Sequence, residues 1–206
     1  MITLYGRLNS LNVQKVVFAL GEIGVPYERI DAGMAFGIVD TSQYRAMNPN
    51  GLVPTLKDGD LVIWESNAIV RYLAAKYSVD ALWSSDPATR APQDAWMDWQ
   101  AQHWQAAVGP AFLHLVRTPP EKRDMDLVER SRETADRLAG ILDGALAGRE
   151  WLGGARLGIG DIALGPLAHR WLHLPVERTP RPDLERWYAA IAARPAAKPF
   201  LGLPLT

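Results

Sequence analysis

The sequence predicts an α/β domain followed by an all-α helical bundle, on three observations. Residues 1–77 alternate short apolar runs with apolar residues at helical spacing. No run beyond Asp86-Pro87 has strand character. Between them, residues 78–87 are rich in Ser, Asp and Pro and read as a linker, leaving residues 88–206 to the helical domain. A chain of 206 residues suits one to two domains of about 150 residues each and can bury a sizeable core.

Each element follows from local pattern. Ile2–Tyr5 is a short apolar strand, and Val13, Val16, Val17, Leu20 and Ile23 recur at helical spacing before Gly24-Val25-Pro26. Tyr27–Ile30 reads as a second strand. After a loop and the short segment Ser42–Met47, strands at Val53–Leu56 and Leu61–Ile63 flank Lys57-Asp58-Gly59-Asp60, whose Asp-Gly pair signals a hairpin. Ile69, Val70, Tyr72 and Leu73 mark a helix to about Tyr77, completing the order βαβαββα. In the second region Trp96, Trp99 and Ala106 share one helical face, and Leu127, Ser131, Leu138, Ile141 and Ala145 share another. Gly109-Pro110 is expected to bend the first long helix, because proline lacks the backbone donor and crowds the preceding turn. Pro119-Pro120 then ends it.

Composition removes several function classes. With 22 basic and 23 acidic residues the net charge is −1, which gives no field for nucleic acid. There is no cysteine, so a redox pair, a cysteine nucleophile and thiolate zinc ligation are all excluded, and sulfur chemistry requires a bound thiol. The N-terminus meets Arg7 before any signal-peptide core could form, and no run approaches the roughly 18 residues of a membrane span. A cytoplasmic location and no membrane partner are therefore expected. Only His169 and His173 stand at i,i+4 spacing, without an acidic ligand motif, so no metal is expected.

Three segments can carry chemistry. Asn9-Ser10-Leu11-Asn12 lies between the first strand and helix, where free N–H groups favour an anion, although Asn and Ser are also ordinary N-caps. In Asn48-Pro49-Asn50-Gly51-Leu52-Val53-Pro54 a proline opens a strand. Most X–Pro bonds are trans; a cis bond would turn the Val53 N–H and C=O outward, free to pair with an extended peptide. Trp64-Glu65-Ser66-Asn67 puts an acid and a hydroxyl at a helix start. Glu65 suits an ammonium and Ser66 a carboxylate, the two ends of an α-amino acid head group, although Ser66 also reads as an N-cap.

In this order, the three segments resemble the glutathione S-transferase family over essentially the whole chain. The runs Leu4–Val16, Asn48–Pro54 and Trp64–Leu73 look like bacterial, theta-like members of the serine type. Arg117–Asp124 and Thr179-Pro180-Arg181-Pro182 are also similar to that group. The resemblance implies a thioredoxin-like N-terminal domain and glutathione as co-substrate. It assigns Ser10 as the hydroxyl facing the glutathione sulfur and Asn12 as a second donor. The family's cis-proline falls on Pro54, its backbone pairing with the cysteinyl part of glutathione on Val53, and its γ-glutamyl contacts on Glu65 and Ser66. Asp98 is a further candidate, reaching the γ-glutamyl group of the neighbouring subunit in a homodimer. Trp99, His103, Ala107 and Phe112 are candidates for the electrophile pocket.

The sequence departs from the family pattern in places. Leu52 stands where many relatives carry a polar or basic contact to the glycine end of glutathione. Gly158-Ile159-Gly160-Asp161 replaces a capping box and keeps only its acid. The absence of cysteine separates the chain from relatives that form a mixed disulfide. The implied function is activation of glutathione as a thiolate for attack on small hydrophobic or halogenated electrophiles, a detoxification role. On sequence alone two other readings stay open: a catalytically weak glutathione or hydrophobic-ligand binder, and a structural interaction module on the same fold.

Overall fold

The computed structural model describes residues 1–79 and 81–206; Asp80 of the expected linker lies outside them. Strand β1 (Ile2–Tyr5) alternates as its sequence predicts, with Ile2 and Leu4 in the core. Its neighbours are β2 (Tyr27–Ile30), parallel, and β3 (Thr55–Asp58), antiparallel, and β4 (Leu61–Trp64) completes a four-stranded mixed sheet in the order β2-β1-β3-β4. Leu4 stands opposite Leu56, which stands opposite Ile63. The third strand starts later than its β-branched sequence suggests. Val53 and Pro54 lie outside the ladder, so their backbone is not used by the sheet.

Helix α1 (Leu11–Ile23) is buried at every residue from Val13 to Leu20. It packs on α3 (Ser66–Tyr77) within the N-terminal domain and on α7 (Ile159–His173) of the helical domain, which explains why it is apolar on more than one face. Gly24, at φ 76°, closes it with its N–H on the Leu20 carbonyl. α2 (Ser42–Met47) is short and capped by Thr41, whose hydroxyl accepts from the Tyr44 amide.

The helical domain contains α4 (Pro87–Trp99), α5 (Gln105–Phe112), α6 (Met125–Leu146), α7, α8 (Pro182–Ala192) and α9 (Lys198–Leu201). Pro110 lies inside α5 without ending it. The departures from regular α geometry are π-helical turns on either side, Gln100–Trp104 and Leu113–Arg117, and not at Gly109-Pro110 itself. Along α6 the buried face runs through Val128, Ser131, Ala135, Leu138, Ala139, Leu142 and Leu146. The expected stripe was therefore rotated slightly, and Ile141 is exposed.

Helix α7 is the centre of this domain, buried from Ile159 to His169. A Cβ on Gly165 would stand 3.1 Å from Ile191 Cδ1 and 3.4 Å from Phe18 Cε1, so the glycine allows α7 to lie close against α1 and α8 together. At its N-terminus Asp161 is fully buried and accepts from the Leu152 amide at 3.0 Å, the Gly158 amide at 2.9 Å and Trp187 Nε1 at 2.8 Å. Half of the capping box thus survives the loss of the hydroxyl. Burial pushes this carboxyl up to about 6 even though three donors favour its charged form.

Between the two domains lies Lys15, 1% exposed, with Nζ 2.6 Å from Gln100 Oε1, 3.4 Å from Asn67 Oδ1 and 3.5 Å from Gln105 Oε1. Its partners are neutral amides. Burial pushes the ammonium down to about 7, Glu65 opposing the shift and Arg170 adding to it.

Two outcomes follow for folding. Asp161→Ala strands three buried donors, each worth about 1–3 kcal/mol when unsatisfied. Set against the relief of carboxyl burial, the expected loss is about 3 kcal/mol and roughly 10 °C in melting temperature; an unchanged melting temperature would refute this role. Lys15 binds its proton less tightly in the folded chain (about 7) than in the unfolded chain (10.5). Its contribution to stability therefore rises with pH between those values and is flat below them. Urea midpoints at pH 7 and pH 9 should show a gain in the wild type that Lys15→Met lacks; parallel gains in both proteins would mean that Lys15 stays charged in the fold.

Candidate functional site

The sheet leaves three loops at one end of α1. Ser10 takes the N-cap position of α1, yet its side chain makes no capping bond. The hydroxyl is therefore not consumed by the role that most often explains serine there. With α1 buried along its length, this N-terminus joins free backbone N–H groups to a helix dipole beside an available hydroxyl, an arrangement suited to an anion.

The second loop is held from behind. Tyr44 Oη donates to the Leu52 carbonyl at 2.7 Å, and Asn48 Nδ2 donates to the same oxygen at 2.8 Å. Asn48 Oδ1 accepts from the Asn50 amide at 3.1 Å, and both Tyr44 and Asn48 reach Thr55 Oγ1. These bonds draw the Leu52 carbonyl inward while its side chain stays 65% exposed. The Val53–Pro54 peptide is cis. Among the described residues neither the amide nor the carbonyl of Val53 is hydrogen-bonded. The same loop touches the first: a Cβ at Gly6 would lie 2.4 Å from Val13 Cγ2 and 3.4 Å from Val53 Cβ, so glycine is required where they meet.

The third loop enters α3 through Glu65, which has φ 71°. A non-glycine residue in this region is strained by about 1–3 kcal/mol, and such strain gathers at functional sites. Glu65 is exposed and its side chain caps nothing, whereas Ser66 is buried, with Oγ donating to Asn12 Oδ1 at 3.4 Å, the long limit of a hydrogen bond. Ser66 thereby joins the third loop to α1.

The other candidates are arranged differently. Asp98 is exposed and bound to Arg71 Nη2 at 2.6 Å, while Arg71 Nε holds Asp94 at 2.7 Å. Trp99 is half-buried, edge-on to Trp96 and tilted against Trp104; His103 is exposed and Ala107 half-buried. Phe112 is 5% exposed, its ring covered by the Arg170 and Arg117 guanidiniums. His169 and His173 are engaged with the Tyr188 hydroxyl and the His169 carbonyl. A cleft of about 350 Å³ between the start of α4 and Gly153–Ile159 contains none of the Ser10, Val53 or Ser66 group. Chemistry rather than size locates the site. Sequence reasoning missed Lys15 and the arginines over Phe112. Lysine at a position flanked by buried apolar residues was the one available signal for the former.

Known proteins share this architecture. Residues 1–75 match the model for the glutathione S-transferase N-terminal domain, and residues 103–195 match that for its C-terminal domain. Glutathione S-transferase GstB of Escherichia coli K12 is 47% identical over 208 residues, covering all of both chains. Glutathione S-transferase 3 of Zea mays is 32% identical, covering 99% of this chain and 95% of the relative. The crystal structure of the theta class glutathione S-transferase from Xanthomonas axonopodis pv. citri with glutathione bound superposes with a TM-score of 0.95. It is 45% identical and covers 100% of this chain and 99% of that one. On the family matches, the end-to-end identity and the shared fold, the chain belongs to the glutathione S-transferase family.

Proposed function

We propose that this transferase binds glutathione across the three loops, ionises its thiol at Ser10 and directs the thiolate at small hydrophobic or halogenated electrophiles. The uncapped Ser10 hydroxyl at the N-terminus of a buried helix carries this reading. The unpaired Val53 backbone supports it as an edge for the cysteinyl part of the peptide, and Glu65 with Ser66 supplies the acid and hydroxyl for the γ-glutamyl head.

The energetics need no general base. Lowering a thiol from about 8.5 to about 6.5 requires roughly 2.7 kcal/mol of preference for the thiolate. A hydrogen bond to a charged group contributes about 1.5–3 kcal/mol and a helix N-terminus about 0.3–1, rising to about 2 when partly buried. Ser10 and α1 suffice, with Asn12 as a second donor. His103 is exposed, and nothing assigns it a proton to move. The thiolate sulfur then attacks the electrophilic carbon, a C–S bond forms, and the leaving group departs with its electron pair.

The division into residues 1–77, a linker at 78–87 and residues 88–206 belongs to the same reading, with the helical domain lining the electrophile pocket through Trp99, His103 and Ala107. Phe112 backs that wall from beneath its arginines. So do a homodimer, in which Asp98 reaches the neighbouring subunit's γ-glutamyl group, and a detoxification role in the cytoplasm. Among the described residues no helix is long and apolar enough to cross a membrane.

Ser10→Ala should raise the pKa of the bound thiol by roughly one to two and slow conjugation more at neutral than at alkaline pH. Ultraviolet titration of the thiolate checks this, and an unchanged value with a large rise in Asn12→Ala would transfer the role to Asn12. Ser66→Ala and Glu65→Gln should each weaken glutathione binding in calorimetric titration while leaving folding nearly intact. Unchanged affinity in both would reduce the segment to a helix start. Light scattering should give a dimer at micromolar concentration; an active monomer would remove the role of Asp98.

A further inference from the structure

Three guanidinium groups converge near the start of α1, and among the described residues no Asp or Glu side chain pairs with any of them. Arg7 lies in the loop that leads to Ser10, Arg117 closes the π-helical turn after α5, and Arg170 lies in the last turn of α7. Arg170 and Arg117 share one ring, their Cζ atoms 3.8 and 4.9 Å from the centroid of Phe112. Arg7 is near enough to act on both. Burial, then repulsion from Arg117 and Arg7, pushes the Arg170 guanidinium down to about 10, and burial with Arg117 lowers Arg7.

Eight other arginines, Arg29, Arg45, Arg71, Arg90, Arg132, Arg181, Arg186 and Arg194, each hold an acidic side chain, and Arg123 and Arg178 are satisfied by backbone carbonyls. Among the described residues Arg7 and Arg170 make no side-chain hydrogen bond and no ion pair. Arg7 is 8% exposed, and its Nε is buried without a partner. Arg117 donates only to the Thr206 carbonyl, at 2.9 Å. Asn9 Nδ2 meets the Thr206 hydroxyl at 2.5 Å, so the 203–206 segment lies against this group. A cleft of about 300 Å³ adjoins it, lined by Leu8, Asn9, Phe36, Leu203, Pro204 and Thr206 and by the Arg29–Asp31 ion pair.

Like charges gathered in a partly desolvated place repel one another and keep their full demand for acceptors. A planar fork with parallel N–H donors matches a carboxylate in shape as well as charge. We propose that Arg7, Arg117 and Arg170 bind the carboxylate of the electrophile, so that acidic electrophiles are the preferred partners of the thiolate formed at Ser10. This rests on the transferase reading and names its substrate class. The carboxylate takes the place of the Thr206 carbonyl on Arg117, and the apolar body of the electrophile lies in the adjoining cleft. Two of the three, Arg117 and Arg170, come from the helical domain, and Arg7 faces them from the loop before Ser10, whereas the groups suited to glutathione all belong to the N-terminal loops; the anion assigned to the shared cluster is therefore the electrophile's.

A matched pair of probes tests this: 4-chloro-3-nitrobenzoate and its amide, which differ in charge at one substituent. In each, the thiolate sulfur bonds to the ring carbon and the C–Cl bond breaks, chloride leaving with the electron pair. Chloride release gives kcat/KM for both. The wild type should favour the acid, and Arg117→Gln, at an exposed position, should lower the acid-to-amide ratio about tenfold or more, mainly through KM for the acid. A companion Arg7→Gln should lower the same ratio, and 4-nitrobenzoate should inhibit the wild type more strongly than either variant. An unchanged ratio in both variants would overturn the proposal. A raised KM for glutathione with the amide as electrophile would assign the arginines to the peptide instead. Conversion of neither probe by the wild type would remove the transferase reading itself, and the proposal with it.

Discussion

Everything at the site depends on the burial of α1 from both sides. α3 packs on it within its own domain, where it shares one core with Ile2, Leu4 and Leu56 of the sheet, and α7 packs on it from the other, so the residues from Val13 to Leu20 have no solvent side. Such a helix cannot shift along its axis without disrupting two packed interfaces, because interiors at close-packed density tolerate little displacement. Its N-terminus, where Ser10 stands, is therefore fixed in position chiefly by apolar packing. The hydroxyl is spared from capping because the helix does not need that bond to persist. Packing of the buried body stabilises it far more than one cap, worth about 1 kcal/mol, would.

The violations of local rules lie close to that fixed point. Among the described residues Ser10 caps nothing, the Val53 amide and carbonyl have no partner, Glu65 holds φ 71°, and three arginines meet without an Asp or Glu side chain. Each is unfavourable for folding taken by itself. Their grouping is what is expected where structure has been set aside for ligands. Lys15 is a different case, since its ammonium is satisfied by amide oxygens and buried beneath the site. Of the charges acting on it Glu65 favours the ammonium, which ties the interior of the domain contact to the proposed head-group residue.

How much of this was legible in the sequence depends on the range of the signal. β1, β2 and the Asp58-Gly59 hairpin follow from alternation and turn chemistry within a few residues, and the helical domain follows from periodicity. The start of β3 did not, because Val53 has strand propensity while Tyr44 and Asn48 pull its neighbour Leu52 out of the ladder. The stripe of α6 was displaced because Ile141 is apolar yet exposed, and periodicity counts it as core. Segments such as Asn9–Asn12 and Glu65-Ser66 could be singled out as candidates since each is short and contiguous. The group of Arg7, Arg117 and Arg170 could not, for its members are scattered along the chain and only the tertiary fold shows that they lack acidic partners.

The two domains divide recognition by the kind of group they offer. In the N-terminal loops the groups proposed for the peptide include a backbone edge at Val53 and free N–H groups at the start of α1, whose chemistry survives substitution of the side chains around them. In the helical domain the offered groups are side chains, Trp99 and Ala107 half-buried, His103 exposed, and the guanidiniums over Phe112. Backbone contacts bind what every member of a family shares, while side chains can be exchanged singly without disturbing α1. The charge at Arg117 and Arg170 is thus a feature that one chain can carry and a relative of the same fold can lack, and on the proposed reading selectivity for the electrophile is set there and not at Ser10.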